Sequence, residues 1–90
     1  MLYVALMKIF EGKNNAALAK RLQWQSPEGV NVVAEYWLET PDPLVIAIFE
    51  TESKAAMMQF TSAWNEYFAI TIVPAITAEE GLELGKKMMG

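Results

Sequence analysis

Apolar side chains follow one another almost without a break from Leu2 to Phe10, "LYVALMKIF", and the β-branched and aromatic content of that run predicts a central strand ended by "EGKNN". The period then lengthens. In "AALAKRLQW" Leu18 and Leu22 stand four apart with Lys20 and Arg21 turned the other way, which predicts a first helix capped by Asn14 or Asn15. "SPEG" ends it, because Pro27 disfavours helical geometry at Ser26 and Gly29 accepts a turn. Val30 to Thr40 and Leu44 to Glu50 predict a second and a third strand joined by "TPDP". Helical spacing returns in "ESKAAMMQFTSAWNEY", where Ala56, Phe60, Ala63 and Tyr67 form a stripe flanked by Met57 and Trp64, with Thr51 or Ser53 as the cap. Phe68 to Ala75 predicts a fourth strand, its terminal or exposed end marked by Pro74. Thr77 and Glu80 are spaced as a capping box for a short last helix, acidic at its start and basic at Lys86 and Lys87, with Gly81 and Gly85 lowering its intrinsic stability.

The order β-α-β-β-α-β plus one helix, joined by right-handed crossovers, predicts an α+β, ferredoxin-like domain over residues 1–90. It has a four-stranded antiparallel sheet with both main helices on one face. The other face is left bare. A turn at Thr40 to Pro43 sets Glu39 opposite Leu44, Trp37 opposite Ile46, Glu35 opposite Ile48 and Val33 opposite Glu50. Asn31, Val33, Glu35, Trp37, Glu39, Leu44, Ile46, Ile48 and Glu50 then share the bare face, while Val32, Ala34, Tyr36, Leu38, Val45, Ala47 and Phe49 meet the helices. Pro43 makes this register sensitive to the turn, and a one-residue slip moves Trp37 and Glu50 to opposite faces.

Composition adds a quaternary expectation. Ninety residues bury only about 60 to 65% of their unfolded surface, yet 53% of them are hydrophobic, 11% aromatic, and 6 are Met. The surplus suits a subunit interface or a pocket, and two sheets packed face to face in a homodimer account for it. A net charge of −4 with 7 Lys plus Arg gives no footprint for nucleic acid or anionic lipid. No apolar run reaches membrane-spanning length, and the strand pattern starts at Leu2 with no leader-like segment before it, so the expected compartment is the cytoplasm. The absence of Cys and His sets aside disulfides, ordinary zinc sites, thiol chemistry and a His base.

Chemistry is left to carboxylates, phenols, amines and hydroxyls. In the expected register Glu35 and Glu50 are diagonal neighbours, roughly 5 to 8 Å apart at Cβ, and two carboxylates in a partly dry cleft push one pKa upward. They are the candidate catalytic residues. Glu39, beside the turn on an edge strand, reads as a solvated charge that discourages edge pairing. Trp37 is either core filler or a pocket wall, Trp64 is core, and Trp24 marks packing at its helix end. The pairs Met57/Met58 and Met88/Met89 read as adaptable packing, and Lys8 as a side chain snorkelling to the sheet end.

At "SPEG", "YWLE", "IFETES" and "ITIVPAITAEE" the chain resembles domain-of-unknown-function family 3303, the matching positions being Pro27, Gly29, Trp37, Glu50, Trp64, Val73 and Pro74. That family is similar to the dimeric α+β barrel superfamily, and the resemblance implies ferredoxin-like subunits whose sheets face each other across a two-fold axis. The superfamily includes cofactor-free monooxygenases, lactone isomerases, haem enzymes and members without known activity. This chain has Thr71 where relatives often carry Glu and Met7 where some carry a polar residue, so no catalytic set transfers.

The expectation is a small homodimeric α+β barrel that binds a small apolar molecule between its sheets, without cofactor or metal. Tyr3, Trp37, Ile46, Ile48 and Glu50 are its expected ligand-binding residues. The alternatives are a cofactor-free monooxygenase- or isomerase-like enzyme using Glu50 or Glu35 as base, and a structural or regulatory dimerisation module.

Overall fold

A computed structural model describes residues 1–90. In chain order the elements are β1 (Leu2–Ile9), α1 (Asn14–Gln23), β2 (Asn31–Trp37), β3 (Val45–Glu50), α2 (Lys54–Trp64), β4 (Phe68–Ala75) and α3 (Ala78–Met89). The strands form one antiparallel sheet in the order β2-β3-β1-β4, which puts β1 and β3 in the middle. Two of the three helices start as their sequence predicts. Ser53 Oγ accepts from the Ala56 N–H at 3.0 Å and Thr77 Oγ1 accepts from the Glu80 N–H at 3.1 Å, each satisfying a donor that helix geometry leaves free. At α1 the cap position falls to Lys13, which makes no side-chain cap bond, and Asn14 is already helical.

The core lies between the helices and the sheet face carrying Ala5, Met7, Ile9, Ala47 and Phe49, with Ala17 from α1 and Ala56, Phe60 and Trp64 from α2 packed on it. Small residues set its thickness: Ala5, Ala17, Ala47 and Ala56 let the backbones approach, and aromatic rings fill the remaining space. Trp24 meets Trp64 edge-on at 5.4 Å and Phe60 at 5.9 Å, while Phe49 packs on Phe60 at 5.3 Å. Trp64 is core and Trp24 is packing, as their positions predict.

The hairpin register differs from the expected one. The Leu38 N–H bonds the Leu44 carbonyl at 2.7 Å, so the loop holds residues 39–43, one more than a turn at Thr40 to Pro43 allows. Trp37 therefore pairs with Val45, Tyr36 with Ile46, Glu35 with Ala47 and Ala34 with Ile48. Because side chains alternate, that single extra residue turns Glu35 and Trp37 toward the helices and Ala34 and Tyr36 to the open face. A β-bulge at Val33 then resets the phase, so that Val32 pairs with Phe49 on the core side and Asn31 with Glu50 on the open side. Without the bulge, Asn31 would face the core and Val32 would lose its place in it. The bulge reconciles a register set by the loop with apolar demand at the other end of the strand.

Helix α1 also presents a different face from the one its leucines suggest. Ala17, Lys20, Arg21 and Trp24 point inward, whereas Leu22 is 77% exposed and Leu18 sits at the rim. Lys20 donates to the Ala63 carbonyl and lies 5.3 Å from the centroid of the Trp64 ring, so its alkyl stem covers apolar surface while its charge is satisfied. Arg21 meets Glu35.

The opposite sheet face carries Leu2, Val4, Leu6, Ile46, Ile48, Tyr36 and Val73, and no helix covers it. The molecule measures 51 × 29 × 17 Å, and the shortest dimension fits one sheet plus one helix layer. Helix α3 buries none of its residues and lengthens the molecule instead: the radius of gyration is 15.0 Å, against ~12 Å for a compact chain of this length. No helix is long and apolar enough to cross a membrane.

Candidate functional site

Between α1 and the β2–β3 hairpin lies a cavity of about 140 Å³, lined by fifteen residues of which twelve are hydrophobic. The sheet supplies Met7, Val32, Val45 and Ala47 to its floor. Ala17 and Leu18 come from α1, and Trp24, Phe60, Trp64 and Phe68 give it an aromatic side. Ala17 from α1 and Ala47 from β3 contribute only methyl groups to its wall, beside the larger rings that bound the rest of it. Exposed lining residues, Leu18 and Trp37, mark its mouth.

Arg21 and Glu35 are its charged lining. The guanidinium binds the carboxylate through two bonds, Nε to Oε2 at 3.1 Å and Nη2 to Oε1 at 2.9 Å. The Trp37 indole N–H donates to the same Oε2 at 2.6 Å. A carboxylate turned inward from a strand would be costly alone; three donors compensate it. The bonds from Arg21 hold the Glu35 carboxyl below its ordinary range, outweighing the upward push of partial burial, and the Trp37 bond acts in the same direction. Arg21 is raised in turn, chiefly by its hydrogen bond to Glu35.

The residues expected to share one site are divided by the sheet. Trp37 and Glu35 line the helix-side cavity. Tyr3 is also on the helix side, stacked on Phe49 with centroids 5.7 Å apart. Ile46 and Ile48 lie half-buried on the open face, and Glu50, opposite Leu2 and Asn31, is an exposed strand end on that same side. The expected Glu35–Glu50 neighbourhood does not form, because the extra loop residue turns Glu35 to the other face. Lys8 reaches Asp42 at 4.0 Å on the surface.

Arg21 and Ala17 are cavity residues that the sequence pattern did not mark, and Trp24 and Val45, expected only to pack between helix and sheet, line the cavity as well. The signal was present as the i, i+3, i+4, i+7 set Ala17, Lys20, Arg21, Trp24, whose amphipathic stems read as polar when only the leucines are followed. No three Asp or Glu side chains converge to hold a metal ion.

A βαββαβα arrangement with one antiparallel sheet defines a small α+β domain of ferredoxin-like type. Over residues 1–89 the chain matches the family described as Domain of unknown function (DUF3303), and it belongs to that family. No curated protein and no solved structure matches it.

Proposed function

We propose that this protein is a homodimeric binder of a small apolar molecule, and that the ligand occupies the cavity between α1 and the hairpin. The observation that carries this reading is the cavity itself: a ready-formed, almost wholly apolar space with a few polar groups at one side is what small-molecule sites share.

The dimer is supported by a second observation, the bare apolar face of the sheet together with an amphipathic α3 that has no partner in its own chain. Two such faces across a two-fold axis would each cover the other. Binding is favoured over an enzyme with Glu50 or Glu35 as base because the Glu35 oxygens already accept from Arg21 and Trp37, which leaves that carboxylate a poor proton acceptor, and Glu50 is exposed on the other face of the sheet, away from the cavity.

Titration with toluene, followed by NMR of methyl groups, tests the site. Saturable shifts at Ala17, Val45 and Ala47 are expected. Shifts confined to Ile46 and Ile48 would move the ligand to the space between sheets, and no saturable shift anywhere would remove the binding reading.

A further inference from the structure

The charge arrangement beside the cavity says more about the ligand than the cavity's size does. Glu35 accepts two bonds from Arg21 and one from Trp37, so the two lining charges cancel each other within the wall. Nothing in the lining then offers a net charge to an incoming molecule. An ion entering this half-open pocket would shed part of its hydration against the apolar wall and find either a saturated carboxylate or a guanidinium already bound in a two-point fork, so that loss goes uncompensated. The volume of about 140 Å³ is close to that of apolar cavities of ~150 Å³ that take up benzene. On one side the space is bounded by the rings of Trp24, Phe60, Trp64 and Phe68, which suit the edge and face of another ring.

We infer that the cavity takes an uncharged molecule with a single aromatic ring, and that the Arg21–Glu35 pair sets this selectivity by neutralising itself. This rests on the binding reading above and adds to it the class of ligand and the residues that choose it. Glu35 acts here as a counter-ion that keeps Arg21 from recruiting anions, and Trp37 holds Glu35 in that orientation from the mouth.

Three probes of one size separate the cases: toluene, benzoate and benzylammonium, each titrated at neutral pH against the full chain with the Ala47 and Val45 methyl signals as readout. Toluene should bind saturably, and both ions should bind at least about tenfold more weakly, a difference of ~1.4 kcal/mol. Glu35→Gln leaves the guanidinium without its counter-ion, so benzoate should gain at least about tenfold relative to toluene. Should that variant fold poorly by circular dichroism, Arg21→Gln provides the mirror test, with benzylammonium as the probe that gains. Either ion matching toluene on the native protein, or an unchanged preference in both variants, would overturn the inference while leaving the binding reading intact. Failure of all three probes to bind removes the binding reading and this inference with it.

Discussion

Glu35 shows how one residue's environment reverses the chemistry its neighbours suggest. Beside a second carboxylate its proton affinity would have risen; beside Arg21 and the Trp37 indole it falls. The lowered folded-state pKa has a defined consequence for stability. The pair contributes fully above the unfolded-state value, for which 4.5 is the reference, and its contribution is lost as pH drops through the lower folded-state value. Glu35→Gln should therefore cost on the order of 0.5 to 1 kcal/mol at pH 7, a modest figure because the Arg21 side chain is 40% exposed. Urea unfolding of both proteins across pH 3 to 7 reads the difference, which should shrink toward the acid end. A gap that widens on acidification would show that the pair is not the source.

At the scale of elements, α1 and the hairpin each turned on a choice between faces. For α1 the outcome predicts an asymmetry that hydrophobicity alone would invert. Leu22→Lys, at a position mostly in water, should change stability by less than ~0.5 kcal/mol. Ala17→Lys places a long cation against Ala47 and the aromatic cluster and should cost more than ~3 kcal/mol or abolish folding. Chemical denaturation of the two variants decides which face is inward. The hairpin supplies the matching pair of tests. Trp37→Ala should alter toluene affinity and leave the oligomeric state unchanged, because its ring stands at the cavity mouth; Tyr36→Asp should do the reverse, because it faces away from the helices beside Ile46. Effects exchanged between these two variants would mean that the observed register is not the one present in solution.

For the whole molecule, the open sheet face and α3 have to be considered together. Along α3, Ala78, Gly81, Leu82, Gly85 and Met89 fall on one side with Leu84 and Met88 flanking them, and Glu79, Glu83, Lys86 and Lys87 fall on the other. Helices in proteins draw most of their stability from packing an apolar face, and α3 has none of its residues buried in its own chain. We expect the protein to sediment at twice its 10.1 kDa chain mass at micromolar concentration. Truncation after Ile76 should weaken association by at least about tenfold while the circular dichroism of the sheet is retained. An Ile48→Asp change, at the centre of the bare face, should produce monomer. Native protein that stays at the single-chain mass would remove the dimer and require another cover for the face.

Element order, helix caps at Ser53 and Thr77, the strand span of Phe68–Ala75 and the bare second face were all legible in residue order, because they depend on local periodicity and local hydrogen bonding. Which side chains meet was not. The side of the sheet that Glu35 and Trp37 occupy depends on a loop of five residues rather than four, and the side that Asn31 and Val32 occupy depends on a bulge at Val33. Both are resolved only when β2 must satisfy β3 at one end and the core at the other. The inward face of α1 likewise depends on partners far away in sequence: Ala17 joins a core that β1, β3 and α2 build with it, and Arg21 is bound by Glu35 of β2. Periodicity is a property of neighbours along the chain and can be read there. A cavity wall built from α1, β2, β3 and α2 is a property of neighbours in space, and only their packing brought Arg21, Glu35 and Trp37 together.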